Sequence, residues 1–327
     1  MFTGQVDEQA WLVADIGGTN ARFAVLDAPG RDPEHERVLA CADYPDLIQA
    51  TEAYLAGLPR QRPARAAMAI ANPVTGDRVR MTNHHWAFSI EETRQALGLR
   101  ALHMVNDLTA QALAVRHLPA ESLLSLGGGP GVENAPLAIL GPGTGLGVSG
   151  LIPCGGHWEP LHGEGGHVSF SPVSDREIGV LQVMHREHDH VSVERLASGM
   201  GLVNLYRCLA ILDGAVPELL KPADITRRAA DHACPHCVEA VRMFCGILGN
   251  ITGNLILTLG ARGGFYICGG IVPRLGDLFD VDYFRERMEA HGRFRPYLAE
   301  IPGYVVLAPH PALLGLSRGI TVRADTS

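Results

Sequence analysis

The chain has 327 residues, a formal net charge of −8, 46% hydrophobic residues and 19% charged residues. This length predicts two domains or one large domain, and the composition is typical of a soluble globular protein with sizeable cores. The acidic balance and the lack of any basic run argue against a nucleic-acid partner, because phosphate backbones are bound by clustered Lys and Arg.

The chain opens with two predicted strands joined by a turn of unusual composition. Trp11–Asp27 reads WLVADIGGTNARFAVLD, whereas a tight hairpin often needs only Asn-Gly at its turn. The aspartate, two glycines, threonine and asparagine together indicate a turn that binds a ligand. A third strand is predicted over Glu36–Tyr44, a helix over Asp46–Leu58 and a buried strand over Ala64–Ala71.

The next segment predicts a strand that ends at two polar residues. Before it, Val79–Asn83 is a strand candidate, and Ser89 followed by Glu92 is typical of a helix start. Ala101–Asp107 then reads as a strand, and Leu108–Leu118 as a helix. Polar side chains at the end of a strand are well placed for a ligand, because open α/β sheets bind ligands at the carboxyl ends of their strands.

The second half of the chain repeats the design of the opening. Pro136–Ile152 again reads as strand, glycine-threonine turn and strand. Helices are predicted over Glu194–Leu212 and Cys237–Leu259, and a strand, turn and helix over Phe265–Leu275. The three glycines of GLGVSG match a dinucleotide fingerprint by letter, but a β-like sequence follows instead of a helix, so the match is interpreted as accidental.

Both glycine-threonine turns are suited to binding phosphate. Glycine lets backbone N–H groups approach an anion closely and point at it together, and a threonine hydroxyl adds another donor. Two such hairpins, one from each half of the chain, predict a polyphosphate ligand. The turn Cys268–Ile271 also follows an apolar strand and is predicted to border a nucleotide's base or sugar. No P-loop pattern is present.

Other features predict structure rather than a second function. The apolar stretch Cys245–Ala261 contains two asparagines and several glycines, and it predicts a buried helix rather than a membrane span. Seven cysteines and an N-terminus unlike a signal peptide predict reduced thiols and a cytoplasmic location. The close pair Cys234 and Cys237 is interpreted as a loop that starts a helix, with a zinc site as the alternative.

Seven motifs in order resemble the bacterial ATP-dependent glucokinases. They read DIGGTNAR, MTNHHWAFS, VNDLTA, GPGTGLGVSG, HGEGGHVSF, ERLASGMGLVNLYR and CGGIVPR, and the resemblance covers about residues 11–320. It implies the α/β fold of the actin–hexokinase superfamily, with two RNase-H-like domains flanking a deep cleft, and a homodimer. It also implies a smaller α/β domain over 1–117 plus 308–327 and a larger α+β domain over 118–307.

The resemblance assigns the sugar site to five residues. Asp107 is the expected general base for the 6-hydroxyl of glucose, and Asn106 holds a neighbouring hydroxyl. Glu164, His167 and Glu194 bind other hydroxyls. Three alternatives stay open: Asn-Asp as a helix cap only, the Glu-x-x-His pair as metal ligands, and Glu194 as a charge at a helix start.

By the same resemblance, the nucleotide site combines one carboxylate with three turns. Asp15 is expected to orient Mg²⁺ through water, because Mg²⁺ keeps much of its hydration shell. Arg22 either adds positive charge or braces the sheet. The expected phosphate-binding and adenosine-binding residues are Gly17, Gly18, Thr19, Asn20, Gly143, Thr144, Gly145, Gly269, Gly270 and Ile271.

The expected reaction is transfer of phosphate from ATP to D-glucose with Mg²⁺. A kinase for mannose, fructose or an amino sugar is the nearest alternative. A sugar-sensing regulator is less expected, since about ten residues before the first strand are too few for a DNA-binding helix pair. Two residues depart from the family pattern, which has alanine in place of Pro142 and Cys268, and either could alter nucleotide affinity.

Overall fold

The computed structural model describes residues 6–82 and 84–323. The chain divides into two compact units. The first comprises Met1–Pro119 and Ala308–Ser327, and the second comprises Ala120–Leu307.

The strands of both units are short to medium in length. In chain order they are β1 (Val6–Ile16), β2 (Asn20–Leu26), β3 (Glu34–Ala40), β4 (Arg62–Ile70), β5 (Arg78–Arg80), β6 (Ala87–Ser89), β7 (Ala101–Asn106), β8 (Leu123–Ser125), β9 (Leu137–Pro142), β10 (Leu146–Cys154), β11 (His157–Pro160), β12 (Gly264–Ile267) and β13 (Gly303–Val306).

The α-helices range from one turn to seven. In chain order they are α1 (Leu47–Ala56), α2 (Ile90–Ala96), α3 (Asp107–Ala114), α4 (Asp175–Met184), α5 (Gly199–Leu212), α6 (Pro222–Ala230), α7 (Pro235–Leu259), α8 (Ile271–Leu275), α9 (Val281–Glu289), α10 (Arg295–Ala299) and α11 (Pro311–Arg323).

The first unit is built on a five-stranded sheet in the order β3-β2-β1-β4-β7. Strands β1, β4 and β7 run parallel, and their carboxyl ends are in register, with Ile16 beside Ile70 and Ile70 beside Asn106. The turn after β1 and the helix start after β7 therefore lie at the same edge of the sheet. This is the edge at which open α/β sheets bind ligands.

Helices cover one face of this sheet closely. Helices α3 and α11 pack against each other, and a Cβ on Gly315 would lie 1.7 Å from the carbonyl oxygen of Ala110. Only glycine permits this approach between the two backbones. The last helix of the chain thus belongs to the first unit.

The second unit is built on a six-stranded sheet in the order β11-β10-β9-β12-β13-β8. Strands β9 and β10 form an antiparallel hairpin, and β12 runs parallel to β9. The turns that follow β9 and β12 therefore lie at the same sheet edge. This arrangement brings the second glycine-threonine turn beside the turn that contains Gly269 and Gly270.

The core of the second unit is formed around α7. Of the described residues, only this 25-residue helix is long and apolar enough to cross a membrane, and 72% of its most apolar window is buried inside the protein. A Cβ on Gly249 would lie 2.3 Å from the carbonyl oxygen of Phe284, so α7 and α9 pack with their backbones close together. The predicted buried helix is confirmed.

Most element predictions are confirmed, and the errors are local. Ser89 caps α2 by accepting a hydrogen bond from the N–H of Glu92 at 3.0 Å. The helix predicted from Glu194 begins only at Gly199, because Ser198 provides the cap. The strand predicted over Val79–Asn83 is shorter, and Asn83 itself lies outside the described residues.

Candidate active site

Asn106 and Asp107 occupy the junction between β7 and α3. Asn106 is the N-cap of α3, and its side-chain oxygen accepts hydrogen bonds from the N–H groups of Leu108 at 2.9 Å and Thr109 at 3.4 Å. Asp107 is the first residue of the helix, and its Oδ1 also lies 2.9 Å from the N–H of Leu108. The main capping role therefore belongs to Asn106, so a need for a cap does not account for Asp107.

The environment of Asp107 makes its carboxylate more basic than usual. Burial, together with the negative charge of nearby Asp15, raises the pKa of Asp107 to about 6, although the hydrogen bond from Leu108 acts in the opposite direction. A carboxylate with this pKa is ionised at neutral pH and still accepts a proton readily. These are the properties that general-base catalysis requires.

Asp15 lies on the same sheet edge, near the end of β1. Burial raises the pKa of Asp15 as well, while interactions with Arg22 and His310 act in the opposite direction. The guanidinium of Arg22 lies 3.6 Å from the Asp15 carboxylate, on the neighbouring strand β2. Arg22 therefore offsets the charge of Asp15.

The turn between β1 and β2 is held by backbone hydrogen bonds. The N–H of Gly17 donates to the carbonyl of Asn20 at 2.9 Å, and the N–H of Cys41 donates to the carbonyl of Thr19 at 2.8 Å. The thiol of Cys41 also lies 3.4 Å from the carbonyl oxygen of Gly17. The first predicted phosphate-binding turn is therefore fixed from outside by Cys41, which has no place in the sequence motif.

The segment after Asn83, by contrast, supports the first unit. Trp86 is buried in the core of that unit, and its indole N–H donates to the carbonyl of Tyr44 at 3.1 Å.

Asn72 contacts the residue before the predicted base, because its carbonyl accepts a hydrogen bond from the side chain of Asn106 at 3.3 Å. No sequence pattern indicates this contact.

In the second unit, Glu164, His167 and Glu194 form one group. The Nε2 of His167 lies 3.9 Å from a carboxylate oxygen of Glu164, and its Nδ1 lies 4.0 Å from a carboxylate oxygen of Glu194. His190 holds the same loop, since its Nε2 lies 2.9 Å from the carbonyl oxygen of His167. Carboxylates accept hydrogen bonds and an imidazole ring donates or accepts them, so the group is suited to hydrogen bonding with hydroxyls.

The glycines of this loop allow it to approach a neighbouring strand closely. A Cβ on Gly166 would lie 1.9 Å from the carbonyl oxygen of Leu146, and one on Gly165 would lie 2.7 Å from the side chain of Val148. The loop therefore packs directly on β10. Its glycines make room for a strand of the same unit.

Glu194 connects the group of Glu164, His167 and Glu194 to the second glycine-threonine turn. It lies in a short 3-10 turn, Val193–Arg195, and not in a helix. Its Oε2 accepts a hydrogen bond from the N–H of Leu146 at 2.9 Å, and a Cβ on Gly145 would lie 2.3 Å from the same oxygen. A residue larger than glycine at 145 would displace the carboxylate.

The second turn borders a cavity of about 410 Å³. Gly143 and Thr144 form one wall, and the carbonyl of Gly143 accepts a hydrogen bond from the N–H of Gly199 at 2.9 Å. Ile271 lines the cavity as well. The remaining lining residues, which sequence reasoning missed, are Gly199, Met200, Leu202, Pro222, Ala223, Thr226, Arg274 and Leu275.

The turn after β12 approaches β9 closely. Gly269 has a φ of 79°, and a Cβ on it would lie 2.6 Å from the carbonyl oxygen of Pro142. Cys268 is buried, its N–H donates to the carbonyl of Leu140 at 2.7 Å, and burial raises the pKa of its thiol to about 12. Pro142 and Cys268 thus contribute to packing between strands and do not line the cavity.

Each unit therefore groups the residues predicted for it. At the sheet edge of the first unit lie Asp15, Gly17, Gly18, Thr19, Asn20, Asn106 and Asp107. In the second unit, Glu164, His167 and Glu194 form one group. The turns after β9 and β12 contain the remaining predicted residues, which are Gly143, Thr144, Gly145, Gly269, Gly270 and Ile271.

The fold is that of known sugar kinases. A solved glucokinase from an Antarctic psychrotroph matches with a TM-score of 0.87 and 34% identity, over 96% of this chain and 99% of that chain. The fold and the grouped residues thus define an α/β sugar kinase of the actin–hexokinase class. A model of the glucokinase family matches residues 12–321.

Curated relatives agree with this class. A glucokinase of Aromatoleum aromaticum is 51% identical over 98% of this chain and 97% of its own length. One of Chromobacterium violaceum is also 51% identical, over 97% of this chain and 91% of its own length. The chain belongs to the glucokinase family.

Proposed function

We propose that this protein transfers the γ-phosphoryl group of ATP to the 6-hydroxyl of D-glucose, giving ADP and glucose 6-phosphate. The observation that carries the proposal is the position of Asp107 at the carboxyl edge of a parallel sheet in a chain of the glucokinase family, and the raised pKa of its carboxyl, about 6, supports it. Phosphoryl transfer needs little covalent chemistry from the protein, so a base, positioning and charge neutralisation suffice.

Asp107 acts as the general base. Its carboxylate accepts the proton of the 6-hydroxyl as the bond from that oxygen to the γ-phosphorus forms, and the bond from the γ-phosphorus to ADP breaks. Asn106 holds the start of α3, through its bonds to Leu108 and Thr109, and so fixes the direction of the base. Its side-chain N–H group, near the carbonyl of Asn72, is the donor offered to a neighbouring hydroxyl.

Glucose is bound by the group Glu164, His167 and Glu194. Carboxylates accept hydrogen bonds from hydroxyls, and a histidine ring donates or accepts as needed. The spacing of about 4 Å between these side chains is too long for strong mutual hydrogen bonds. Apart from Oε2 of Glu194, which accepts the N–H of Leu146, their polar atoms are thus available to a ligand with several hydroxyls.

Asp15 is the residue that would hold Mg²⁺. The chemistry fits: Mg²⁺ prefers oxygen ligands, and burial of the Asp15 carboxylate near a second carboxylate, Asp107, creates a negative site that a cation would stabilise. When bound, Mg²⁺ neutralises charge on the phosphates of ATP. The phosphates themselves are bound by the backbone of Gly17–Asn20 and Gly143–Gly145, and the adenosine by Gly269–Ile271 and the adjoining cavity.

The enzyme is expected to be cytoplasmic and homodimeric. All seven cysteines are free, which suits a reducing compartment. Sedimentation of the purified protein tests the oligomeric state, since a monomer mass would overturn the dimer.

An ADP-release assay across a panel of sugars tests the reaction. With ATP, glucose should give the highest kcat/KM among glucose, mannose, fructose and glucosamine, and omission of Mg²⁺ should abolish turnover. GTP and polyphosphate are tested in parallel as donors. Higher kcat/KM with another hexose would assign the enzyme to that sugar, and no ADP release with any sugar would overturn the kinase proposal.

A further inference from the structure

We infer that Arg274 binds the purine base of the nucleotide by stacking its guanidinium on the ring, and that it thereby sets the preference for purine nucleotides. The inference rests on the proposed nucleotide site. It concerns one residue that the sequence motifs do not assign to any role.

Arg274 is the only charged residue that lines the cavity, as far as the described residues show. The other lining side chains are apolar or small, among them Met200, Leu202, Pro222 and Leu275. A largely apolar cavity with a single cation is suited to a planar aromatic group, because the face of an aromatic ring attracts a cation and the rest of the ring prefers an apolar surface.

The position of the guanidinium is defined by Gly270, one helical turn earlier. A Cβ on Gly270 would lie 3.1 Å from Cζ, 3.1 Å from one terminal nitrogen and 3.2 Å from the other. An edge-on approach would leave Cζ farther away than the two nitrogens, so the equal distances mean that the guanidinium lies face-on above the Gly270 backbone. Because Arg274 also lines the cavity, we expect the opposite face of its guanidinium to be available to a ligand there.

No carboxylate competes for this guanidinium. Within residues 6–82 and 84–323, none lies within 4.0 Å of the Arg274 nitrogens, whereas Arg176, Arg207 and Arg228 in the same unit are all paired with acidic residues. An unpaired arginine held flat by a glycine is already oriented for stacking. Gly270 is therefore part of the same device, since any side chain there would push the guanidinium away.

The test compares Arg274→Lys, which keeps the charge and loses the plane, with Arg274→Met, which keeps the length and loses both. Arg262→Lys is the matched control, because Arg262 is exposed and precedes β12, whereas the Gly269–Gly270 turn follows that strand. Binding of ATP, CTP and inorganic tripolyphosphate is measured by calorimetry without glucose, so the result does not depend on which sugar is phosphorylated.

Arg274→Met should weaken ATP binding by about three- to tenfold, the range expected for a lost cation–π contact, and Arg274→Lys should weaken it less, because an ammonium keeps the charge but has no plane to stack. Binding of tripolyphosphate, which has no base, should be unchanged, and the preference for ATP over CTP should fall. The control should bind all three ligands as the unmodified protein does. Unchanged ATP binding in both variants, or an equal loss for tripolyphosphate, would overturn the inference.

Discussion

Burial raises the pKa of Asp107, and the carboxylate of Asp15 raises it further, although the strands that lead to these two residues are separated by a third strand. The effect arises because parallel strands in register bring their carboxyl ends to one edge, where both carboxylates are partly buried. A residue proposed for Mg²⁺ thus adjusts the basicity of a residue proposed for catalysis.

This relationship predicts the pH dependence of the enzyme. The base must be ionised, so log kcat/KM for glucose should rise with a slope of 1 below about pH 6 and level off above it. In Asp15→Asn the residual activity should show its inflection at lower pH, because the negative charge that adds to the effect of burial on the pKa of Asp107 is gone. A pH profile from 4.5 to 8.5 measures both, and an unchanged inflection in the variant would contradict the coupling.

The same raised pKa predicts that Asp107 destabilises the folded protein at neutral pH. The folded state binds this proton more tightly than the unfolded state, so the contribution to stability is full below about pH 4 and is lost as the pH rises through about 6. Asp107→Asn should therefore raise the free energy of unfolding at pH 7.5 by about 1–3 kcal/mol. Urea unfolding measures it, with the exposed Asp43→Asn as control. A loss of stability in Asp107→Asn would contradict this account.

The close contact between Gly145 and Glu194 predicts that a larger residue at position 145 raises the KM for glucose. In Gly145→Ala the new Cβ would lie 2.3 Å from Oε2 of Glu194 and should break the hydrogen bond from Leu146. The displaced Glu194 carboxylate would lose its proposed charge-assisted hydrogen bond to the sugar, which should raise the KM for glucose by about tenfold.

Gly76→Ala serves as the control for this experiment, because a Cβ there meets no atom within 4 Å and the residue is exposed. Steady-state kinetics with glucose as the varied substrate distinguishes the two variants. An unchanged KM in Gly145→Ala would show that the position of Glu194 is unimportant for the sugar.

A buried ion pair in the second unit makes the loss of either partner destabilising. Arg287 and Glu177 lie 2.7 Å apart with side chains 10% and 2% exposed, and Glu177 also accepts the N–H of Val173. Glu177→Gln leaves a buried charge unpaired and should lower the free energy of unfolding by about 3 kcal/mol.

The matched control is Glu218→Gln. Glu218 is paired with Arg228 at the surface, and its side chain is 61% exposed. Its effect should be below about 1 kcal/mol. Equal losses in the two variants, measured by urea unfolding, would contradict the importance of burial.

Local chemistry explains what the sequence predicted well. Ser89 with Glu92 marks a helix start because the cap is made within one turn, and the glycine-threonine turns are visible because their residue types are unusual. The strand before Asp107 could also be predicted, because its pattern lies within a few consecutive residues.

Contacts between distant residues explain what could not be predicted. The hydrogen bond between Leu146 and Glu194 joins residues 48 positions apart, and the cavity wall formed by Pro222, Ala223 and Thr226 comes from a helix with no motif. The raised pKa of Asp107 also depends on a partner from another strand. No periodicity or spacing in the sequence carries such information.

The most direct test of the account is the turnover of Asp107→Asn beside its affinity for glucose. We predict that kcat falls by about 100-fold or more, the loss expected when a general base is removed, while the Kd for glucose changes by less than about threefold. Asp43→Asn should retain normal values for both. Near-normal turnover in Asp107→Asn would contradict the assignment of the base, and with it the proposed mechanism.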